Sequence, residues 1–143
     1  MVMSPPENTQ RLMPRLAYLD APAAIEFLCR AFGFEEIGRF APGGKVVYSE
    51  IALNGETLFA IGSSHEGVQS PRELSGLSIE LFCYVDDVDR HYAQAKAAGA
   101  TILNPPEDKF WGDRSYAVMD CEGYRWIFRK IVKNVRLTDS KPK

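Results

Sequence analysis

The chain has 143 residues, 45% of them hydrophobic and 25% charged, with a formal net charge of −2. One domain of this size buries roughly 70% of its extended surface, and a composition so close to the average excludes a disordered, collagen-like or two-large-domain chain. The near-neutral charge offers no field for nucleic acid or an anionic membrane, and no apolar run reaches the ~20 residues of a bilayer span. A soluble, cytoplasmic protein with neither nucleic-acid nor membrane partners is therefore expected.

In chain order, residues 1–10 read as a tail without a basic, apolar leader pattern. Leu16-Ala17-Tyr18-Leu19-Asp20 is an apolar, strand-like run closed by an acid. Ala24, Phe27, Leu28 and Ala31 then keep the i, i+3/i+4 rhythm of one buried helix face. Asp20 is placed to cap that helix, Pro22 suits its first turn and Gly33 its stop. Gly43-Gly44 reads as a turn into strand Val46 to Leu53. Asn54-Gly55, between that strand and Thr57 to Ile61, is a two-residue hairpin signal. Residues 63–76 are polar with Gly and Pro and read as a linker.

The pattern then recurs, which is the sequence signature of a duplicated unit. Phe82-Cys83-Tyr84-Val85-Asp86 repeats the first run sixty-six positions later. A second helix follows with Val88, Tyr92, Ala95 and Ala98 on its buried face, Asp86 at its start and Gly99 at its end. At an offset of sixty-eight, Tyr48 falls on Tyr116, and Leu53-Asn54-Gly55 on Cys121-Glu122-Gly123. Glu122-Gly123 is thus predicted to turn the last hairpin, between Tyr116 to Met119 and Tyr124 to Ile131. The fold class is α+β: two tandem βαβββ modules, 11–62 and 77–132, in a single domain spanning 11–132, with 133–143 a solvated tail. Cys29, Cys83 and Cys121 are odd in number and widely spaced, which fits reduced thiols in apolar surroundings.

Two such units in one chain resemble the vicinal-oxygen-chelate superfamily of glyoxalase I, extradiol dioxygenases and bleomycin-resistance proteins. The strings Ala31-Phe32-Gly33-Phe34, Val85-Asp86-Asp87-Val88-Asp89, Ala95-Lys96-Ala97-Ala98-Gly99-Ala100 and Asp120-Cys121-Glu122-Gly123-Tyr124-Arg125-Trp126 are similar to those of uncharacterised glyoxalase-like proteins. The resemblance implies two curved sheets forming a cup, completed by pairing two modules, so a homodimer is expected. It also implies that metal-using relatives place ligands on the first and last strand of each module. Those positions fall here on Pro14, Phe59, Glu80 and Ile127. Three of them cannot ligate, and a catalytic site keeps about three protein ligands. No metal and no other cofactor is therefore expected. His65 lies in the linker and His91 on the second helix, where it reads as solvent-facing.

Strand alternation places Ile79, Leu81, Cys83 and Val85 toward a helix and Ser78, Glu80, Phe82 and Tyr84 toward the cup. By the repeat, Leu16 and Tyr18 line the cup in the first module. Arg125, Ile127 and Arg129 share the cup side of the last strand, the arginines either open to a ligand or paired with Glu80. Phe110-Trp111-Gly112-Asp113-Arg114 reads as a rim, Asp113 and Arg114 forming a local ion pair in one reading. The candidate ligand-binding residues are Tyr18, Tyr48, Phe59, Phe82, Tyr84, Trp111, Arg114, Tyr116, Arg125 and Ile127. Glu80 is the one candidate catalytic group, as a carboxylate whose burial on an apolar floor raises its pKa.

The leading expectation is a protein that binds a small aromatic or cationic molecule in this cup without a metal. A metal-dependent glyoxalase- or dioxygenase-type enzyme, or a metal-free lyase or isomerase using Glu80 as base, remains open beside it. Whether the chain is an enzyme is not decided by its residues.

Overall fold

The computed structural model describes residues 9–136 and 138; the predicted tails at 1–10 and 133–143 therefore lie largely outside the described residues. The first module runs β1 (Arg15–Tyr18), α1 (Ala21–Phe32), β2 (Glu35–Phe40), β3 (Tyr48–Leu53) and β4 (Glu56–Ser63). The second runs β5 (Leu81–Tyr84), α2 (Val88–Ala97), β6 (Thr101–Asp108), β7 (Asp113–Met119) and β8 (Arg125–Ile131). Each module folds its strands into a four-stranded sheet, ordered β1-β4-β3-β2 and β5-β8-β7-β6. In each, the first strand runs parallel to the last and the other neighbours are antiparallel. Among the described residues no helix is long and apolar enough to cross a membrane.

α1 forms as its sequence dictates. Asp20 accepts a hydrogen bond from the Ala23 amide at 3.1 Å, Pro22 sits in the first turn, and Gly33 ends the helix in the left-handed region at φ 75°. Its buried face holds Ala21, Ala24, Ile25, Phe27, Leu28, Ala31 and Phe32, and side chains such as Leu28 and Phe32 contribute roughly 1.5–3 kcal/mol each when fully buried. α2 is more polar and fully buries only Val88 and Ala95. Its cap is Asp87, whose carboxylate accepts from the Arg90 amide at 3.1 Å, rather than the predicted Asp86.

That one-residue correction runs through the repeat. Asp20 and Asp87 are sixty-seven apart, and so are the strand partners Leu16–Ile61 and Cys83–Phe128, and Ile51–Phe59 and Val118–Trp126. The true offset is sixty-seven, midway between the two read from sequence. A slip of one residue turns every side chain of a strand to the other face. Leu16 and Tyr18 accordingly face the core instead of the cup, and Tyr18 is 0% exposed. The Glu122-Gly123 turn also differs: residues 120–124 form a longer loop, with the Asp120 amide bonded to the Tyr124 carbonyl at 3.0 Å.

One core joins the modules. Phe32 packs on Phe128 at 4.8 Å between ring centroids, and Phe34 and Phe59 both meet Trp126 at 5.4 Å. His91, expected in solvent, lies in this core with its ring 4.1 Å from Phe128. Its Nε2 is 2.8 Å from the Phe32 carbonyl and its Nδ1 is 2.6 Å from the Tyr116 hydroxyl. The carbonyl can only accept, so the neutral ring is an Nε2–H tautomer that accepts from Tyr116 at Nδ1. Burial lowers the imidazole's affinity for a second proton.

Candidate functional site

The register defines two equivalent rows across the open faces of the sheets. In the first module the row is Arg15–Ala60–Glu50–Gly38; in the second it is Phe82–Ile127–Ala117–Asn104. The chemistry of the two rows is opposite.

In the first module the Arg15 guanidinium covers one end of the face, and Glu50 farther along borders a cavity of about 620 Å³ with Met13, Thr57 and Leu58. The guanidinium donates to the Val47 carbonyl at 2.9 Å and the Ser63 carbonyl at 3.1 Å, and it lies over Gly62 so closely that a Cβ there would collide with it. Tyr48, a candidate ligand residue, sits farther along this face and donates its hydroxyl to Glu50 at 2.8 Å.

In the second module the face is open. Glu80, Phe82, Asn104, Lys109, Trp111, Ser115, Tyr116, Ala117, Arg125 and Ile127 border a cavity of about 190 Å³. One rung along, the Arg129 guanidinium lies 4.9 Å from the Phe82 ring centroid and 4.5 Å from that of Tyr84, so a cation stacks between two aromatic faces. Asp113 holds this arginine at 3.2 Å and accepts from the Trp111 indole N–H at the same distance. Phe82 and Tyr84 remain 55% and 54% exposed, which is costly for rings of this size unless something covers them.

The rim is fixed by backbone geometry. Gly112 has φ 100°, and a side chain there would strike the Lys133 carbonyl. Its own carbonyl accepts from Val132 and Lys133 at 2.9 and 3.0 Å. The loop carrying Trp111 is thereby tied to the segment after β8. The anticipated Asp113–Arg114 pair does not form, because alternation along β7 sends the two to opposite faces: Arg114 pairs with Asp89 of α2 and with Asp108 at 2.9 and 3.0 Å. Those two carboxylates hold its charge and raise its pKa.

Of the candidates, Glu80, Phe82, Trp111, Arg125 and Ile127 meet at the cavity and Tyr84 joins through Arg129. Tyr116 is 1% exposed and borders the cavity from the core, Tyr18 and Phe59 belong to the core, and Arg114 to the helix side. Glu80 is not buried on an apolar floor. It is half-exposed and its Oε2 lies 3.0 Å from the Arg125 Nε, an ion pair without hydrogen-bond alignment. Of the two readings of Arg125, pairing with Glu80 is the one this geometry takes. Asn104, Lys109, Ser115 and Ala117 were not singled out from sequence. The corrected offset finds two of them, because it maps Glu50 onto Ala117 and Tyr48 onto Ser115.

Donor chemistry on these rows is sparse. Of the four positions the resemblance pointed to, Pro14, Phe59 and Ile127 carry no donor and Glu80 lies 3.0 Å from the Arg125 Nε. Among the described residues no three of His, Cys, Asp and Glu gather as a metal-holding group. The thiols are not primed for nucleophilic chemistry: burial raises Cys83 to about 11, and Cys121, which is exposed rather than in the expected apolar surroundings, is raised to about 12 by partial desolvation and the Asp120 and Glu122 carboxylates.

Comparison with known proteins agrees with this architecture. A family model described as the Glyoxalase/Bleomycin resistance protein/Dioxygenase superfamily matches residues 12–128. An uncharacterised protein of Mycobacterium bovis is 34% identical over 133 residues, covering 90% of this chain and 88% of its own. The crystal structure of TioX from Micromonospora sp. ML1 superposes with a TM-score of 0.68 at 30% identity, over 89% of this chain and 100% of that one. A superfamily member from Burkholderia phytofirmans PsJN superposes at 0.62 with 20% identity, over 82% and 94%, a likeness of fold.

Proposed function

The chain belongs to the glyoxalase/bleomycin resistance protein/dioxygenase superfamily, and from that premise we propose that it binds a flat aromatic molecule on the open face of its second sheet, without a metal ion. The observation that carries this reading is the contrast between equivalent rows. Arg15 and Glu50 make one charged, while Phe82, Ile127 and Ala117 make the other apolar beside the exposed Tyr84 ring. Arg125 offsets the Glu80 charge and Arg129 already occupies the ring pair, so the face favours a neutral or acidic aromatic over a cation. Glu80 then serves to position Arg125, a role that needs no proton transfer.

A cavity of about 190 Å³ is smaller than the roughly 300–1,000 Å³ that encloses a small ligand. A second copy of the chain supplies the remaining wall, and the homodimer is part of the proposal. The exposed Phe40 and Ile131 side chains offer apolar surface for that contact.

The test uses 8-anilinonaphthalene-1-sulfonate, an anionic aromatic dye, titrated by fluorescence. Saturable binding is expected, weakened roughly tenfold or more in Ile127→Asp, which sets a carboxylate on the floor, with the thermal transition retained. Equal affinity in a folded Ile127→Asp protein defeats the proposal.

A further inference from the structure

The two modules also treat their outer sheet edges differently. β1 bonds only β4, so alternate backbone groups point away from the sheet. Pro14 and Tyr18 carbonyls accept from Ala60 and Ser64 of the neighbouring strand, which leaves the Ala17 N–H and C=O on the free edge. The loop of residues 120–124 from the second module closes this edge. Tyr124 packs its ring 5.0 Å from that of Tyr18, and its hydroxyl accepts from the Ala17 N–H and donates to the Ala17 carbonyl, each at 3.0 Å. The protein thus already contains a phenol seated between a sheet edge and the other module.

β5 stands in the equivalent position. Val85 donates to the Arg129 carbonyl of β8, so alternation leaves the Tyr84 N–H and C=O on the free edge, as with Ala17 at the offset of sixty-seven. The first module's hairpin faces this edge, but Glu56 follows its turn glycine where Tyr124 follows Gly123. No ring reaches across. What remains is a cavity of about 410 Å³ lined by Leu53, Leu58, Phe59, Leu81, Cys83 and Trp126, with Glu56 and Asn54 at the hairpin and Pro14, Phe82 and Tyr84 at its border, so that Phe82 stands between this cavity and the open face. Among the described residues, the donor at the Tyr84 carbonyl is the Cys83 thiol, at 3.6 Å, a weak one.

We propose that this cleft between the modules is a second binding site, adjoining the open face at Phe82 and Tyr84, that takes a small phenol in the manner of Tyr124. Its ring would lie among the apolar lining, and its hydroxyl would accept from the Tyr84 N–H and donate to the Tyr84 carbonyl. The volume lies within the range that encloses a small ligand without help from a partner, and the free edge supplies paired donor and acceptor groups that are costly to leave unmatched once water is displaced.

The probe is 4-methylphenol, the side-chain analogue of tyrosine, with toluene as control, each titrated into ¹⁵N-labelled protein. Saturable amide shifts are expected at Leu53, Leu58, Cys83 and Tyr84, with toluene binding about fivefold more weakly for want of one hydrogen-bonding group. Glu56→Tyr, which builds the missing ring into the hairpin, should abolish these shifts. Because that variant alters packing, the wild-type comparison stands independently of it. Equal affinity for toluene and 4-methylphenol, or shifts confined to Ser115, Ala117 and Ile127, overturns the proposal. Of the two sites, Leu53 and Leu58 border only the cleft, and Ser115, Ala117 and Ile127 only the open face, so the dye experiment and this one are read on separate residues.

Discussion

The two modules share one backbone plan and fill it differently. The first carries two charged groups on its face, Glu50 and the Arg15 bound to two backbone carbonyls, and its β1 edge is closed by the 120–124 loop. The second leaves its face lined by Phe82 and Ile127 and its β5 edge bordered by a cavity. Duplication therefore separated two demands: one copy is closed by polar contacts that hold the domain together, and the other keeps apolar surface that pays for itself only when covered.

The strongest way to break this comparison is at the closed edge. Asp120 is buried and accepts from the Tyr18 hydroxyl at 2.6 Å, the Trp126 indole at 3.0 Å and the Glu122 and Tyr124 amides at 3.0 and 3.1 Å. Asp120→Ala strands these donors and should cost at least about 3 kcal/mol in urea unfolding. Next in size, Tyr124→Phe removes the two contacts to Ala17 and should cost about 1–2 kcal/mol. Glu56→Ala, the counterpart at the open edge, should change stability by less than about 0.5 kcal/mol. Equal effects at Tyr124 and Glu56 would erase the asymmetry.

A smaller, pH-dependent effect sharpens the role of the shared core. The folded state holds His91 below its ordinary pKa of 6.5 because burial penalises the cation. The unfolded chain then takes up the proton first, so stability is complete above 6.5 and falls as pH drops below it toward the lowered folded value. Unfolding measured between pH 7 and 5 should show this decline, and His91→Gln should flatten it. An unchanged slope places the titrating group elsewhere.

Much of the fold was legible because its signals are local. Asp20, Pro22 and Gly33 delimit α1 by capping chemistry, and Asn54-Gly55 turns its hairpin with both residues at positive φ, 52° and 80°. The site was legible only in part, since facing depends on a parity that a repeat offset misread by one residue reverses. Two adjacent acids, Asp86 and Asp87, both satisfy a helix-cap pattern, and choosing the first moved Tyr18 to the wrong face. Anchoring the hairpin on its glycine did the same to Tyr116 in the opposite sense, because a bulge between Ile51 and Ala52 shifts the pairing in the first module only. His91 was unreadable for another reason: its partners are the Phe32 carbonyl and the Tyr116 hydroxyl, fifty-nine and twenty-five residues away. The contacts of Asp120 and Glu122 to Tyr18, Leu19 and Asp20 span a hundred residues or more and left no local mark either.

The most direct test of the functional claim is to map where an aromatic ligand settles. ¹⁵N-labelled protein titrated with 8-anilinonaphthalene-1-sulfonate should show its largest amide shifts at Phe82, Asn104, Ser115, Ala117 and Ile127, saturating together. Saturable shifts that leave this row unmoved, or no saturable shift at all, would contradict the account.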